Sequence, residues 1–171
     1  VSLQTAVVKG LAADRGLFMP ERIPVLPKAF FNNIGEMSLQ DISFIVANTL
    51  FGDDIENTTL KDIVYETLNF DIPLKHVSDN KYSLELFHGP TLAFKDVGAR
   101  FMARLLGYFN RIDNQKGDMV NVLVATSGDT GSAVANGFLG VPGVRVFVLY
   151  PQGKVSRIQE AQFTTLGQNI T

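Results

Sequence analysis

The 171-residue sequence contains no cysteine and only two histidines, and its charge is nearly balanced. Without cysteine it can form neither a disulfide framework nor a thiolate metal site, and two histidines do not make up a transition-metal site. The net charge of −2 argues against nucleic acid or an anionic membrane as the main partner. No apolar run approaches membrane-spanning length, and the first residues lack a basic-then-apolar signal pattern. The absence of cysteine favours a cytoplasmic location.

The hydrophobic fraction of 46% is large enough for a packed core, and the length fits one domain or one small domain plus part of another. The sequence begins at Val1, without Met, in a helical pattern. It stops at residues 167–171, where a helix stop is followed by the apparent opening of a strand. We therefore expect a fragment of a longer protein. The alternative is a complete domain with a ragged tail.

Helical patterns dominate residues 1–72, which we expect to form a mostly helical N-terminal domain. Three prolines, at positions 20, 24 and 27, make the stretch after the first helix irregular. The predicted helices are residues 2–10, residues 38–50 with Ser38 and Asp41 as a cap-like start, and residues 58–69 with Thr58 as N-cap.

Strands and helices alternate after Pro73. The valine-rich run 119–125 predicts a strand buried on both faces. The pattern predicts an α/β fold, in which a parallel-sheet βαβ domain over residues 73–171, incomplete at its C-terminus, follows the helical segment. The predicted strands are residues 74–77, 82–87, 119–125 and 144–150, and the predicted helices are residues 93–110, 132–139 and 156–166.

Lys95 lies in the first turn of the predicted helix 93–110, shortly after the Gly89-Pro90 break. The helix dipole disfavours a protonated amine at that position, and partial burial acts in the same direction. A neutral lysine amine is a Schiff-base nucleophile, so the sequence predicts covalent chemistry at Lys95. The apolar face of the same helix is expected to comprise Phe94, Val97, Phe101, Leu105 and Phe109.

A second motif, Thr-Ser-Gly-Asp-Thr-Gly-Ser, occupies residues 126–132 between a predicted strand and helix. Its glycines allow close backbone approach, and amides at a helix start favour an anion such as a carboxylate or phosphate. The motif is neither a P-loop nor a dinucleotide-binding loop. The alternative is a tight turn in which Ser127 or Thr130 is a structural N-cap.

A third candidate is the loop 151–157, which follows the next predicted strand. Ligands of open α/β sheets collect at the carboxyl ends of strands, so this loop and the loop 126–132 should face one crevice. Lys154, Ser156 and Arg157 could hold a second anionic group there, although solvated side chains explain them as well.

Two smaller features concern the segment before Lys95. His88 could orient the loop beneath the lysine through a structural hydrogen bond. Glu85 and Asp96 could form a carboxylate pair, but an ordinary strand residue and a dipole-favoured first-turn aspartate explain them adequately.

The run Leu-Phe-His-Gly-Pro-Thr-Leu-Ala-Phe-Lys-Asp at 86–96 resembles the cofactor-lysine segment of the threonine synthase family. That family belongs to the fold type II, serine/threonine dehydratase-like enzymes dependent on pyridoxal 5'-phosphate (PLP). Ser-Gly-Asp-Thr-Gly at 127–131 resembles the substrate-carboxylate loop of the same family. The segments 16–20 and 149–156 are also similar, so the resemblance covers nearly the whole chain in the expected order.

The resemblance implies roles for individual residues. Lys95 would form the imine with PLP, and Phe94 would lie beside the cofactor. Asp129 would contact both cofactor and substrate. The substrate carboxylate would be held by Ser127, Gly128, Asp129, Thr130 and Gly131, and the substrate phosphate by Lys154, with Ser156, Arg157 and Arg100 as further candidates.

The implied reaction, the last step of threonine biosynthesis, converts O-phospho-L-homoserine and water to L-threonine and phosphate. The family's glycine-rich loop for the PLP phosphate is not found in this sequence and is expected beyond Thr171. The fragment alone is therefore expected to be inactive and to need the remainder of its own chain as partner. Alternatives are a related PLP lyase or dehydratase acting on threonine or a phospho-amino acid, or a non-catalytic α/β module that binds small anions.

Overall fold

The computed structural model describes residues 1–113 and 117–171, which divide into the units Val1–Asn69 and Phe70–Thr171. The first unit is helical. Its elements are α1 (Leu3–Lys9), α2 (Lys28–Asn33), a 3-10 turn (Ile34–Glu36), α3 (Leu39–Phe51) and α4 (Asn57–Thr67). The second unit contains β1 (Leu74–Ser78), β2 (Lys81–Leu84), α5 (Lys95–Asp113), β3 (Val120–Ala125), α6 (Asp129–Phe138), β4 (Val144–Leu149) and α7 (Arg157–Thr164).

The three helices predicted in the first unit are present, and Ser38 caps α3 by accepting a hydrogen bond from Asp41 N at 3.1 Å. Thr58 is not the N-cap of α4. The Glu56 carboxylate caps this helix, because its longer side chain reaches the backbone N–H of Thr59 at 3.1 Å. The packed α3–α4 pair encloses Leu60, which is fully buried.

Helix α2 was not predicted, because the prolines before it suggested an irregular segment. Pro27 instead occupies the N-cap of α2. A proline at a helix start costs no backbone hydrogen bond, since the first N–H groups of a helix have no intrahelical acceptor.

Strands β1 and β2 form an antiparallel hairpin in which Leu74 pairs with Leu84. Its turn includes Asp79 with φ of 45°, a left-handed conformation that aspartate tolerates. Strand β2 ends at Leu84, three residues earlier than predicted, so residues 85–94 are a loop that leads into α5.

The parallel βαβ unit is confirmed. Strands β3 and β4 pair in parallel from Val120↔Val144 to Ala125↔Leu149, and α6 connects them. Ile170 adds an isolated parallel bridge to Val146.

The burial predicted for β3 is wrong. Leu123 is 68% exposed and only Val124 is buried, whereas Val144 and Val146 of β4 are almost fully buried. The reason is that nothing in the described residues covers the Leu123 face of β3, while β4 lies between β3 and the bridge at Ile170.

Helix boundaries in the second unit matter for the site. Helix α6 begins at Asp129, three residues before the predicted start, so the second motif contains its first turn. Helix α5 begins at Lys95, and its Leu105 and Phe109 are buried as predicted. Phe94 is 61% exposed and does not belong to the apolar face, because it precedes the helix and the helical period does not extend to it.

Close backbone approach fixes α5 against α6. A Cβ atom on Gly137 of α6 would lie 3.1 Å from the Ala99 carbonyl carbon of α5. A side chain at this position would push the backbones apart by a few tenths of an ångström, so glycine allows the two helices that begin at Lys95 and Asp129 to pack closely.

Candidate functional site

The loop before Lys95 is fixed by a buried carboxylate. Asp96 is 1% exposed and accepts hydrogen bonds from Thr91 N at 2.9 Å and from Thr91 Oγ1 at 2.6 Å. Gly89 lies against the same carboxylate, since a Cβ there would be 2.5 Å from Asp96 Oδ2. These contacts hold the chain at the point where α5 starts and thereby position Lys95.

The second motif is organised by Thr126. Its hydroxyl oxygen accepts hydrogen bonds from Gly128 N at 3.1 Å and Gly131 N at 2.9 Å, which ties the loop to the first turn of α6. The alternative in which Ser127 or Thr130 caps the helix is wrong: the N-cap position is Gly128, with no side-chain cap. The Ser127 and Thr130 hydroxyls are thus not used as caps.

An open, polar cavity of about 330 Å³ lies above the carboxyl end of β3. Lys95 lines it from α5, and residues of the second motif line it from the loop and from α6. Its complete lining is Lys95, Ala125, Thr126, Ser127, Gly128, Asp129, Thr130 and Gln159.

Lys95 and Asp129 face each other across this cavity. The Nζ atom is 4.0 Å from Asp129 Oδ2, with 35% and 49% of the two side chains exposed. An ion pair of that length and exposure is weak, so it leaves the amine accessible. The Phe94 ring centroid lies 4.9 Å from the same Nζ atom.

Gln159 is a cavity residue that the sequence predictions missed. Its Nε2 donates to Asp129 Oδ1 at 2.5 Å, and its backbone N donates to Ser156 Oγ at 3.3 Å. Ser-Arg-Ile-Gln at 156–159 has the Ser-x-x-Gln spacing of a capping box, which was the available signal.

Helix α7 is anchored so that Gln159 reaches the cavity. Phe163 is buried, with its ring 4.9 Å from that of Tyr150, and Gln162 Nε2 donates to Thr91 O at 3.2 Å. The Tyr150 hydroxyl donates to Glu160 Oε1 at 3.0 Å, and this bond to a carboxylate raises the pKa of Tyr150. The loop before Lys95 and the end of β4 therefore both fix α7.

The third candidate loop does not line the cavity with its predicted side chains. Ser156 is the N-cap of α7, while Lys154 and Arg157 are exposed. Their phosphate-binding role stays a prediction. Arg100 is 8% exposed, and its guanidinium lies 5.8 Å from the Phe70 ring centroid.

Neither of the smaller features adds a catalytic group. His88 Nε2 lies 2.8 Å from Glu85 Oε2. This is a structural hydrogen bond, the role that the sequence predicted for His88. Glu85 and Asp96 make separate contacts and do not form a carboxylate pair. Residues 1–113 and 117–171 contain no group of three or more possible metal-ligating side chains, and none of their helices is long and apolar enough to span a membrane.

These features define an α/β protein in which helix α5 presents an accessible lysine amine beside the serine- and glycine-rich start of α6. A family model described as the threonine synthase N terminus matches residues 1–68. The chain is 45% identical over 171 residues to threonine synthase of Haemophilus influenzae, covering 99% of this chain and 38% of that protein.

The solved structures similar to the chain include two bacterial threonine synthases. The Escherichia coli threonine synthase crystal structure has a TM-score of 0.86 at 41% identity, covering 99% of this chain and 39% of that one. The PLP-bound threonine synthase of Brucella melitensis has a TM-score of 0.88 at 34% identity, covering 96% of this chain and 36% of that one. Residues 1–68 thus match the N-terminal domain of threonine synthases, and the chain spans less than two fifths of the length of these relatives.

Proposed function

We propose that this chain supplies the lysine and the carboxylate-binding loop of a PLP-dependent enzyme that converts O-phospho-L-homoserine and water to L-threonine and phosphate. The observation that carries the proposal is the accessible Lys95 amine, which lines the same cavity as the first residues of α6. The similarity of the chain to threonine synthases supports it.

The residues present fit one side of PLP. A primary amine is available for an imine, an aromatic ring lies beside it at Phe94, and a polar cavity adjoins both. When bound, PLP would supply an electron sink for negative charge that develops on the substrate.

Lys95 has two tasks in this proposal. It holds the cofactor before substrate arrives, and as a free amine it takes the Cα proton and returns protons near Cβ. One flexible side chain could do both, because a primary amine is both a nucleophile and a base.

The loop 127–131 binds the substrate carboxylate. The backbone amides at the start of α6 and the Ser127 and Thr130 hydroxyls suit an anion. The Asp129 carboxylate would repel another carboxylate, so we place it on the Lys95 side of the cavity, in accord with the 4.0 Å separation. Lys154, Ser156 and Arg157 are proposed for the substrate phosphate.

We propose that residues 1–72 form a threonine-synthase-specific domain and that residues 73–171 belong to the cofactor domain. The enzyme is proposed to be cytoplasmic.

Two assays of the full-length protein test the function: phosphate release from O-phospho-L-homoserine and O-phosphothreonine, and formation of 2-oxobutyrate and ammonia from threonine. We expect turnover of O-phospho-L-homoserine and its loss in Lys95→Ala. Turnover of threonine alone would identify a dehydratase instead.

A further inference from the structure

Three contacts connect α7 to the lysine. Ser156 Oγ lies 3.1 Å from Gln159 Oε1, Gln159 Nε2 donates to Asp129 Oδ1 at 2.5 Å, and Asp129 Oδ2 is 4.0 Å from Lys95 Nζ. The two carboxylate oxygens of Asp129 thus have different neighbours. One is held by an amide, and the other faces the amine.

Helix capping alone does not account for Gln159. The cap uses its backbone N–H and its Oε1, both toward Ser156. The Nε2 group points the other way, across the loop to Asp129. Gly128 makes room for it, since a Cβ at that position would lie 2.9 Å from Gln159 Nε2.

We propose that Gln159 is a positioning residue that holds the Asp129 carboxylate toward Lys95. An exposed ion pair at 4.0 Å contributes too little to fix a side chain by itself. The hydrogen bond from Gln159 selects one rotamer of Asp129 and so keeps the second oxygen beside the amine. Helix α7 would thereby set the polar environment of the lysine. The proposal rests on the proposed function only in giving that lysine a chemical task.

A zero-length crosslink reads out this orientation without cofactor or turnover. A water-soluble carbodiimide activates a carboxylate, a nearby amine displaces the resulting urea, and an amide forms with net loss of water. We would apply it to the full-length protein without PLP and quantify the peptide pair that joins Lys95 to Asp129 by mass spectrometry. The wild-type protein should give this pair.

Two substitutions separate positioning from capping. Gln159→Met keeps the length of the side chain but lacks the donor. Gln159→Glu can still complete a capping box but presents a like charge to Asp129. In both, Asp129 should distribute over its three staggered rotamers, so the crosslink yield should fall about threefold or more. Gln168→Glu, which adds the same charge at an exposed residue outside the cavity, should retain the wild-type yield.

Wild-type yield in either Gln159 variant would overturn the proposal, and so would an equal fall in the Gln168 variant. Thermal melting identifies any variant that fails to fold, and the other Gln159 variant then decides. Because the crosslink needs no cofactor, its loss or persistence is independent of whether Lys95 binds PLP.

Discussion

Thr91 donates two hydrogen bonds to the buried carboxylate of Asp96, at 2.9 Å from its backbone N and 2.6 Å from its hydroxyl. The pair closes the loop that precedes α5, and Lys95 is the residue next to it. The position of the amine therefore depends on a buried contact that touches neither the cavity nor the anion-binding loop.

Thr91→Val should destabilise the protein by about 2 kcal/mol. The valine has nearly the same shape, but it removes one hydrogen bond from a buried charged group. Urea unfolding of the full-length protein measures the change. Thr91→Ser keeps the hydroxyl and should cost about half as much, through the lost methyl group. Equal stability of Thr91→Val and wild type would show that this hydroxyl does not hold the loop.

Gly131→Ala should disturb the second motif. The new Cβ would lie 2.2 Å from Thr126 Cγ2, inside the turn that Thr126 ties to α6. We expect a loss of about 1–3 kcal/mol from overpacking, measured by urea unfolding.

The matched control for this substitution is Gly98→Ala in α5, another helical glycine, where a Cβ would meet nothing within 4 Å. Alanine there should be neutral or stabilising by up to about 1 kcal/mol, since glycine is a poor helix former. A comparable loss at both positions would mean that the contact with Thr126 is not the cause.

The first unit has its own pH-sensitive contact. Hydrogen bonds from the Ser38 hydroxyl at 2.6 Å and the Tyr65 hydroxyl at 2.5 Å hold the pKa of Asp41 below its usual value of 3.8. A depressed carboxylate pKa stabilises the folded state above the unfolded pKa, and this contribution is lost as the pH falls through the folded value.

Tyr65→Phe should therefore lessen the drop in melting temperature between pH 6 and pH 3, because the Asp41 pKa then lies closer to its unfolded value. Melting curves at both pH values, with Tyr82→Phe in the exposed hairpin as control, check this. An unchanged difference in Tyr65→Phe would contradict the assignment.

Phe94→Leu should separate stability from cofactor binding. The Phe94 ring is 61% exposed, so its truncation should change stability by less than about 0.5 kcal/mol. In the full-length protein we expect weaker PLP binding, measured by titration of the imine absorbance, because the ring beside Lys95 is lost. Unchanged affinity would remove Phe94 from the cofactor site.

Local pattern was sufficient for much of the second unit. Valine-rich strands and a helix between them predicted the parallel pairing of β3 with β4, although α6 begins three residues before the predicted start. The burial of β3 could not be read from the same valines, because burial depends on what packs against the strand. Leu123, for example, is of a residue type typical of protein cores, yet it is exposed.

The site was predictable where one segment carries the information and not where tertiary packing brings segments together. Lys95 and Asp129 each lie in a recognisable motif. Gln159 enters the cavity through the anchoring of α7 by Phe163 and Gln162, which only the folded chain reveals. The capping spacing at Ser156 predicts the helix start but not the direction in which the Gln159 amide points.

The central claim is that Lys95 is the residue that binds PLP. The most direct measurement is borohydride reduction of the full-length protein with PLP, followed by peptide mass spectrometry, with Lys95→Arg as control. The account predicts a reduced pyridoxyl adduct on the peptide containing Lys95, and its absence in the variant. A stoichiometric adduct on another lysine, with Lys95 unmodified, would contradict it.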